Sequence, residues 1–270
     1  MYQVFQASDG LKLAYYVDDF TKPWKEAPTL VLLHSAMGHS GRFFSMVPPF
    51  LDNYRVVRMD LRGHGQSEVP SESPPLSMER LIKDAVELLD HLGIMSAHFL
   101  GNSAGGYIAQ RLAITAPERV CSLLLFGSAP GLKHTNALSW LSRIAIEGLR
   151  NFLADTISNR FNVENTDPSL VEWFLDEAAK NDAAYVARFI SLMASLEWSD
   201  ELHCIKCPTL VVIPGAEAVG GVQNYDSMRD NIADVALVTL EGMAHNICDA
   251  APERCTDEAI KFLKRRFPSG

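Results

Sequence analysis

The stretch His98-Phe-Leu-Gly-Asn-Ser-Ala-Gly-Gly106 decides how this chain folds. Ala97 to Leu100 is a short apolar run of strand type, and from Gly106 to Ala116 apolar residues recur at helical spacing. Between them Gly101-Asn-Ser-Ala-Gly105 reads G-x-S-x-G, so the pattern predicts strand, sharp turn and helix with Ser103 at the apex. Such a turn strains the serine backbone and exposes its hydroxyl, and it needs small residues where strand and helix crowd together. A glycine-rich loop of no special purpose also satisfies the five letters. The placement between a buried strand and an amphipathic helix favours a nucleophile, provided that a histidine and an acid follow in order.

Outward from that turn, the same alternation repeats. Tyr2 to Ala7 and Leu11 to Val17 flank Asp9-Gly10 as a hairpin. Thr29-Leu-Val-Leu-Leu-His34, Arg55 to Asp60, Val120 to Phe126, Thr209 to Ile213 and Ala236 to Leu240 read as further strands. The continuous apolar ones suit a parallel sheet buried on both faces. A short helix is expected around Phe43 to Leu51, and a long one, capped by Ser77, through Leu92. Two more are expected, at about Gln223 to Ile232 and from Pro252 to Arg266.

From Gly131 to about Lys206 this rhythm breaks into helical stretches only. The division expected is a core of residues 1–130 and 207–270 with an inserted helical cap of 131–206. The cap carries Trp140, Trp173 and Arg188, and with Ser35 these are the candidate substrate contacts; a cap arginine such as Arg160 or Arg188 suits a substrate carboxylate or an ordinary surface ion pair.

With 270 residues, 47% hydrophobic and 21% charged, the chain buries a large core without metals or disulfides. A net charge of −9, from 33 acidic and 24 basic residues, argues against nucleic acid or an anionic membrane as partner. No apolar run approaches the roughly 20 residues of a membrane helix. The N-terminus lacks the basic-then-apolar pattern of a signal peptide, and five irregularly spaced cysteines suit a reducing compartment, so a cytoplasmic protein is expected. Cys204-Ile-Lys-Cys207 has no second Cys/His pair nearby, so no metal is expected there.

His245, in Glu241-Gly-Met-Ala-His245-Asn, follows the last strand and falls at the carboxyl edge of the sheet, where the serine turn also lies. There it can take the Ser103 proton as general base.

At this point the chain resembles the α/β-hydrolase superfamily over essentially its whole length. The matching pieces are Leu33-His-Ser-Ala-Met-Gly38, Asp60-Leu-Arg-Gly-His-Gly-Gln-Ser67, the Gly101 to Gly105 turn, Pro208 to Ile213 and Gly242-Met-Ala-His245. The resemblance is strongest to small-cap esterases, lactonases and enol-lactonases. It implies a mostly parallel eight-stranded sheet with helices on both faces and an inserted cap. It also implies a catalytic Ser103 and His245, and an oxyanion hole from the backbone N–H groups of Ala36 and Ala104. Two departures stand out. Ser35 replaces the usual glycine of the oxyanion loop. Ala218 occupies the usual aspartate position after the seventh strand, which leaves Glu217, one residue earlier, as the candidate acid; Asp226 and a triad without an acid are the alternatives. The implied activity is hydrolysis of a small or medium acyl compound without a cofactor. C–C bond hydrolysis, a slow-turnover ligand receptor and cofactor-free oxygen chemistry use related scaffolds, the last disfavoured by the absence of an acid in Gly127-Ser-Ala129. Whether the chain pairs as a homodimer stays open.

Overall fold

The computed structural model describes residues 1–133, 135–220 and 225–268. Strand β1 (Gln3–Gln6) turns back on β2 (Lys12–Asp18), and β3 (Thr29–Leu33), β4 (Arg55–Met59), β5 (Ala97–Asn102), β6 (Val120–Phe126), β7 (Thr209–Pro214) and β8 (Val235–Leu240) complete one sheet. Their spatial order is β1-β2-β4-β3-β5-β6-β7-β8, antiparallel at β1–β2 and β2–β4 and parallel elsewhere. Strand side chains alternate between faces with period two. Val31, Leu33, Leu123, Leu125, Val211 and Ile213 therefore join one buried cluster, while Leu30, Leu32, Leu124, Phe126, Leu210 and Val212 join the other.

The first cluster is covered by α1 (Met78–His91) and α2 (Ala104–Thr115). Three helices between β6 and β7 also join it: α3 (Trp140–Asp155), α4 (Pro168–Ala179) and α5 (Ala183–Ala194). So does α6 (Asp226–Asn231); the expected start of that helix at Gln223 lies outside the described residues. The second cluster is covered by the short α7 (Ile247–Ala250) and by α8 (Pro252–Arg266). The Ser77 hydroxyl caps α1 by accepting from the Arg80 N–H at 3.2 Å. Between β6 and β7 the described residues form helices and one isolated bridge, Gly131 to Glu197. The α3 helix is broken at Gly148, whose φ of +78° a residue with a Cβ rarely adopts. Among the described residues no helix is long and apolar enough to cross a membrane.

One expected helix is absent. Residues 40–51 hold two 3₁₀ turns, Ser40–Phe43 and Pro48–Phe50, and no α-helix. The Pro48-Pro49 pair lacks the N–H groups a helix interior needs.

Three histidines are buried in the frame, and burial drives the pKa of each down, to about 4 for His64 and His98 and well below the ordinary value for His34. His98 shares a 2.8 Å hydrogen bond with Ser122 Oγ and packs edge-on against Tyr54 and Phe267. The unfolded chain takes up a proton near pH 6.5, at about the ordinary histidine pKa, whereas folded His98 does so only near pH 4. Stability is therefore full above about pH 6.5 and falls as the pH drops toward 4, by up to about 1.4 kcal/mol per pH unit for each such histidine. Urea unfolding between pH 7.5 and 5 should show this slope, and His98→Gln should remove one histidine's share of it. Identical slopes in the two proteins would refute the assignment.

Candidate active site

Ser103 sits between β5 and α2 with φ +50° and ψ −116°, a strained backbone for a residue with a Cβ. Tight packing enforces it. A Cβ on Gly105 would lie 2.0 Å from the Leu33 carbonyl oxygen, and one on Gly101 would lie 2.3 Å from the Gly106 Cα. Hydrogen bonds fix the turn from both sides: Ser103 N–H donates to Phe126 O at 2.9 Å, and Ser103 O accepts from Gly106 N–H at 2.9 Å.

His245 leaves β8 on the loop before α7. Ser103 Oγ donates to His245 Nε2 at 3.0 Å, and His245 Nδ1 donates to Glu217 Oε2 at 2.7 Å. A carboxylate only accepts, so the proton rests on Nδ1 and leaves Nε2 to accept from Ser103. The other Glu217 oxygen accepts from the Val219 and Gly220 N–H groups at 2.8 and 3.1 Å. Burial pushes the Glu217 pKa up, but the His245 charge and these hydrogen bonds outweigh it and hold the carboxyl below its ordinary value. Glu217 is 8% exposed, whereas Ala218, at the position where an aspartate was expected, faces solvent. Asp226, the other acid considered, pairs with Arg229 on the surface at 2.8 Å.

The loop after β3 closes the other side. His34 is locked between the Ser35 carbonyl, to which Nδ1 donates at 2.8 Å, and the Leu61 N–H, which donates to Nε2 at 2.9 Å. Met37 turns the loop with φ +58°. Ala36 and Ala104 both face the cavity, and Ala104 is the first residue of α2, whose N–H has no acceptor within the helix by position. Ser35 is buried, and its hydroxyl accepts from Arg42 Nη1 at 3.0 Å. Arg42 in turn grips Asp249 through two hydrogen bonds, one of them at 3.1 Å from Nε. This pair ties the Ser35 loop to α7, next to His245.

Ser103, His245, Ser35, Ala36 and Ala104 line one cavity with Trp140, Leu153, Phe174, Ile190 and Met193 from the helices between β6 and β7. Two expected contacts lie elsewhere. Trp173 packs edge-on against Phe44, 5.4 Å between ring centroids, outside the cavity lining. Arg188 donates to the Pro70 and Ser71 carbonyls at 2.9 and 3.0 Å, so it anchors α5 to a surface loop. Adjacent helical residues point about 100° apart. The inward neighbour of Trp173 is therefore Phe174, and that of Arg188 is the buried Phe189. Arg160, one of the two cap arginines considered for a substrate carboxylate, lines the cavity, as do Arg42, Tyr107 and Asn246, which were not among the expected contacts. Of the other three, only Asn246, beside His245, was traceable from its place in the chain.

A family model described as alpha/beta hydrolase fold matches residues 28–250. The chain belongs to the α/β-hydrolase family. Among the relatives of this α/β-hydrolase is 3-oxoadipate enol-lactonase 2 of Acinetobacter baylyi, 26% identical over 245 residues and 90% of both chains. A hydrolase from Pseudomonas aeruginosa superposes with a TM-score of 0.86 at 30% identity, covering 97% of this chain and 98% of its own. The enol-lactonase from Burkholderia xenovorans superposes with a TM-score of 0.89 at 23% identity, covering 97% of this chain and 100% of its own.

A serine hydroxyl becomes a good nucleophile only with an adjacent base. A fluorophosphonate probe should therefore form a single adduct, located at Ser103 by peptide mass spectrometry, and His245→Ala should suppress it. Equal labelling of both proteins would remove His245 from that role.

Proposed function

We propose that this α/β-hydrolase is a serine hydrolase cleaving a small or medium carboxylic ester, lactone or enol-lactone through an acyl-enzyme on Ser103. The observation that carries the reading is the unbroken chain from Ser103 Oγ to His245 Nε2 and from His245 Nδ1 to Glu217, opening into a mostly apolar cavity. In this reading Ser103 Oγ attacks the carbonyl carbon while its proton passes to His245 Nε2. The carbonyl oxygen becomes an anion facing the Ala36 and Ala104 N–H groups, donors set in place before the reaction. Collapse breaks the acyl–oxygen bond, and His245 returns its proton to the leaving alkoxide or enolate. Water then attacks the acyl-enzyme, again through His245, and releases the acid and free Ser103. Glu217 keeps the imidazole in the required tautomer and stabilises its transient positive charge. Residues 131–206 act as the cap, which selects substrate and limits water. The name of the Acinetobacter relative is in keeping with lactone or ester substrates.

Turnover of short-chain p-nitrophenyl esters tests the proposal. Ser103→Ala should lose activity by about 10⁶-fold, as nucleophile removal does in subtilisin. Glu217→Gln should keep the fold and cost up to about 10⁴-fold in kcat, the size of the comparable serine-protease change. Asp226→Asn should do far less. Ala218→Asp should bring no gain, because position 218 faces solvent. A Glu217→Gln enzyme with unaltered kcat would make this glutamate an ordinary loop residue.

A further inference from the structure

The cavity holds two buried arginines in very different circumstances. Arg42 is fully engaged, with Asp249 on one edge and Ser35 on the other. Arg160 is 7% exposed and, among the described residues, forms no ion pair. Among the described residues its Nη1 alone finds hydrogen-bond partners, the Thr156 carbonyl at 3.1 Å and the Thr156 hydroxyl at 2.9 Å. Thr156 ends α3, so the negative end of that helix dipole offsets part of the charge. A buried guanidinium without a carboxylate is costly and calls for a reason. Burial and the nearby Arg42 charge pull the Arg160 pKa down to about 10, against the opposing attraction of the Glu217 carboxylate, which leaves it a cation near neutrality. Its plane rests near the Trp140 and Phe152 rings, with centroids 5.9 and 5.7 Å away.

The backbone sets this cation beside the reacting groups. Asn246 N–H donates to the Arg160 carbonyl at 3.0 Å, and His245 N–H donates to the neighbouring Asn159 carbonyl at 3.4 Å. Asn246 adds a second unspent donor: its Nδ2 is buried with no acceptor among the described residues, and the residue lines the same cavity. Among the described residues, a cation with no carboxylate in ion-pair contact and an amide lacking an acceptor thus share one wall. Neutral acyl chains would leave both unsatisfied.

Resting on the hydrolase reading of Ser103 and His245, we propose that Arg160 and the Asn246 side-chain amide form an anion subsite. It takes a carboxylate carried on the acyl substrate, so the preferred substrates are acidic esters or lactones. Planar guanidinium groups bind carboxylates through paired hydrogen bonds, and exclusion of water strengthens the contact.

The test compares kcat/KM for the monomethyl esters of succinic, glutaric and adipic acids with the methyl esters of butanoic, pentanoic and hexanoic acids, matched in chain length. The wild type should favour the acidic ester at one length or more. Arg160→Met should lower that preference by about 10²-fold, the scale of a lost charged hydrogen bond, and Arg160→Lys should retain part of it. The readout is a ratio within one protein, so partial unfolding cannot imitate it. A preference for the neutral ester at every length, or a ratio untouched by Arg160→Met, would overturn the subsite. A second arm needs no turnover: Ser103→Ala should bind an acidic ester more tightly than its neutral partner by calorimetry, and adding Arg160→Met should abolish the difference. No difference in the Ser103→Ala chain would likewise overturn it. Failure of the hydrolase reading has another signature, with no ester turned over and no probe on Ser103, while the binding arm still reports on Arg160.

Discussion

The close approach of β5 and α2 is the constraint on which the site depends. Gly101 and Gly105 let the strand and helix backbones meet at distances that a Cβ would forbid, and the turn between them has no room for a relaxed serine. The cost is a residue held at φ +50°, of order 1–3 kcal/mol, offset by the buried sheet around it. The return is placement: the Ser103 hydroxyl projects from the sheet edge toward His245, and Ala104 N–H points from the first turn of α2. Parallel strands deliver the other parts to the same edge, with His34 to Met37 after β3, Glu217 after β7 and His245 after β8.

Around this turn the polar groups form two separate chains. One runs from Ser103 through His245 to Glu217 and on to the Val219 and Gly220 N–H groups. The other runs from Ser35 through Arg42 to Asp249. The second uses no reacting atom, yet it joins the loop carrying Ala36 to the helix after His245, so both sides of the cavity share one rigid reference. A serine in place of the usual glycine at position 35 is understandable here, because its hydroxyl accepts from Arg42.

Much of the fold was legible because continuous apolar strands and a G-x-S-x-G turn carry strong local signals. The eight strands match expectation to within a few residues at their ends. The helix expected at 43–51 failed because paired prolines override apolar spacing. Glu217 was legible only through a break in pattern: Ala218 offered no acid, and the longer glutamate side chain one position earlier spans the gap. The helices between β6 and β7 were hardest to read. Helical spacing marks a face but not which of two adjacent large residues turns inward, and Phe174 rather than Trp173 reaches the cavity. For Arg160 the sequence left open a substrate carboxylate or a surface ion pair, since its environment depends on α3 and the His245 loop, far from one another in sequence, meeting in space.

The central claim is that Glu217, shifted by one residue, holds the His245 imidazole. The Nδ1–H proton of His245 tests it most directly, because a short hydrogen bond to a buried carboxylate deshields that proton strongly. The wild-type proton NMR spectrum should carry a far-downfield resonance, absent in His245→Ala and moved well upfield in Glu217→Gln. A resonance unchanged by Glu217→Gln would place the orienting acceptor elsewhere and contradict the account.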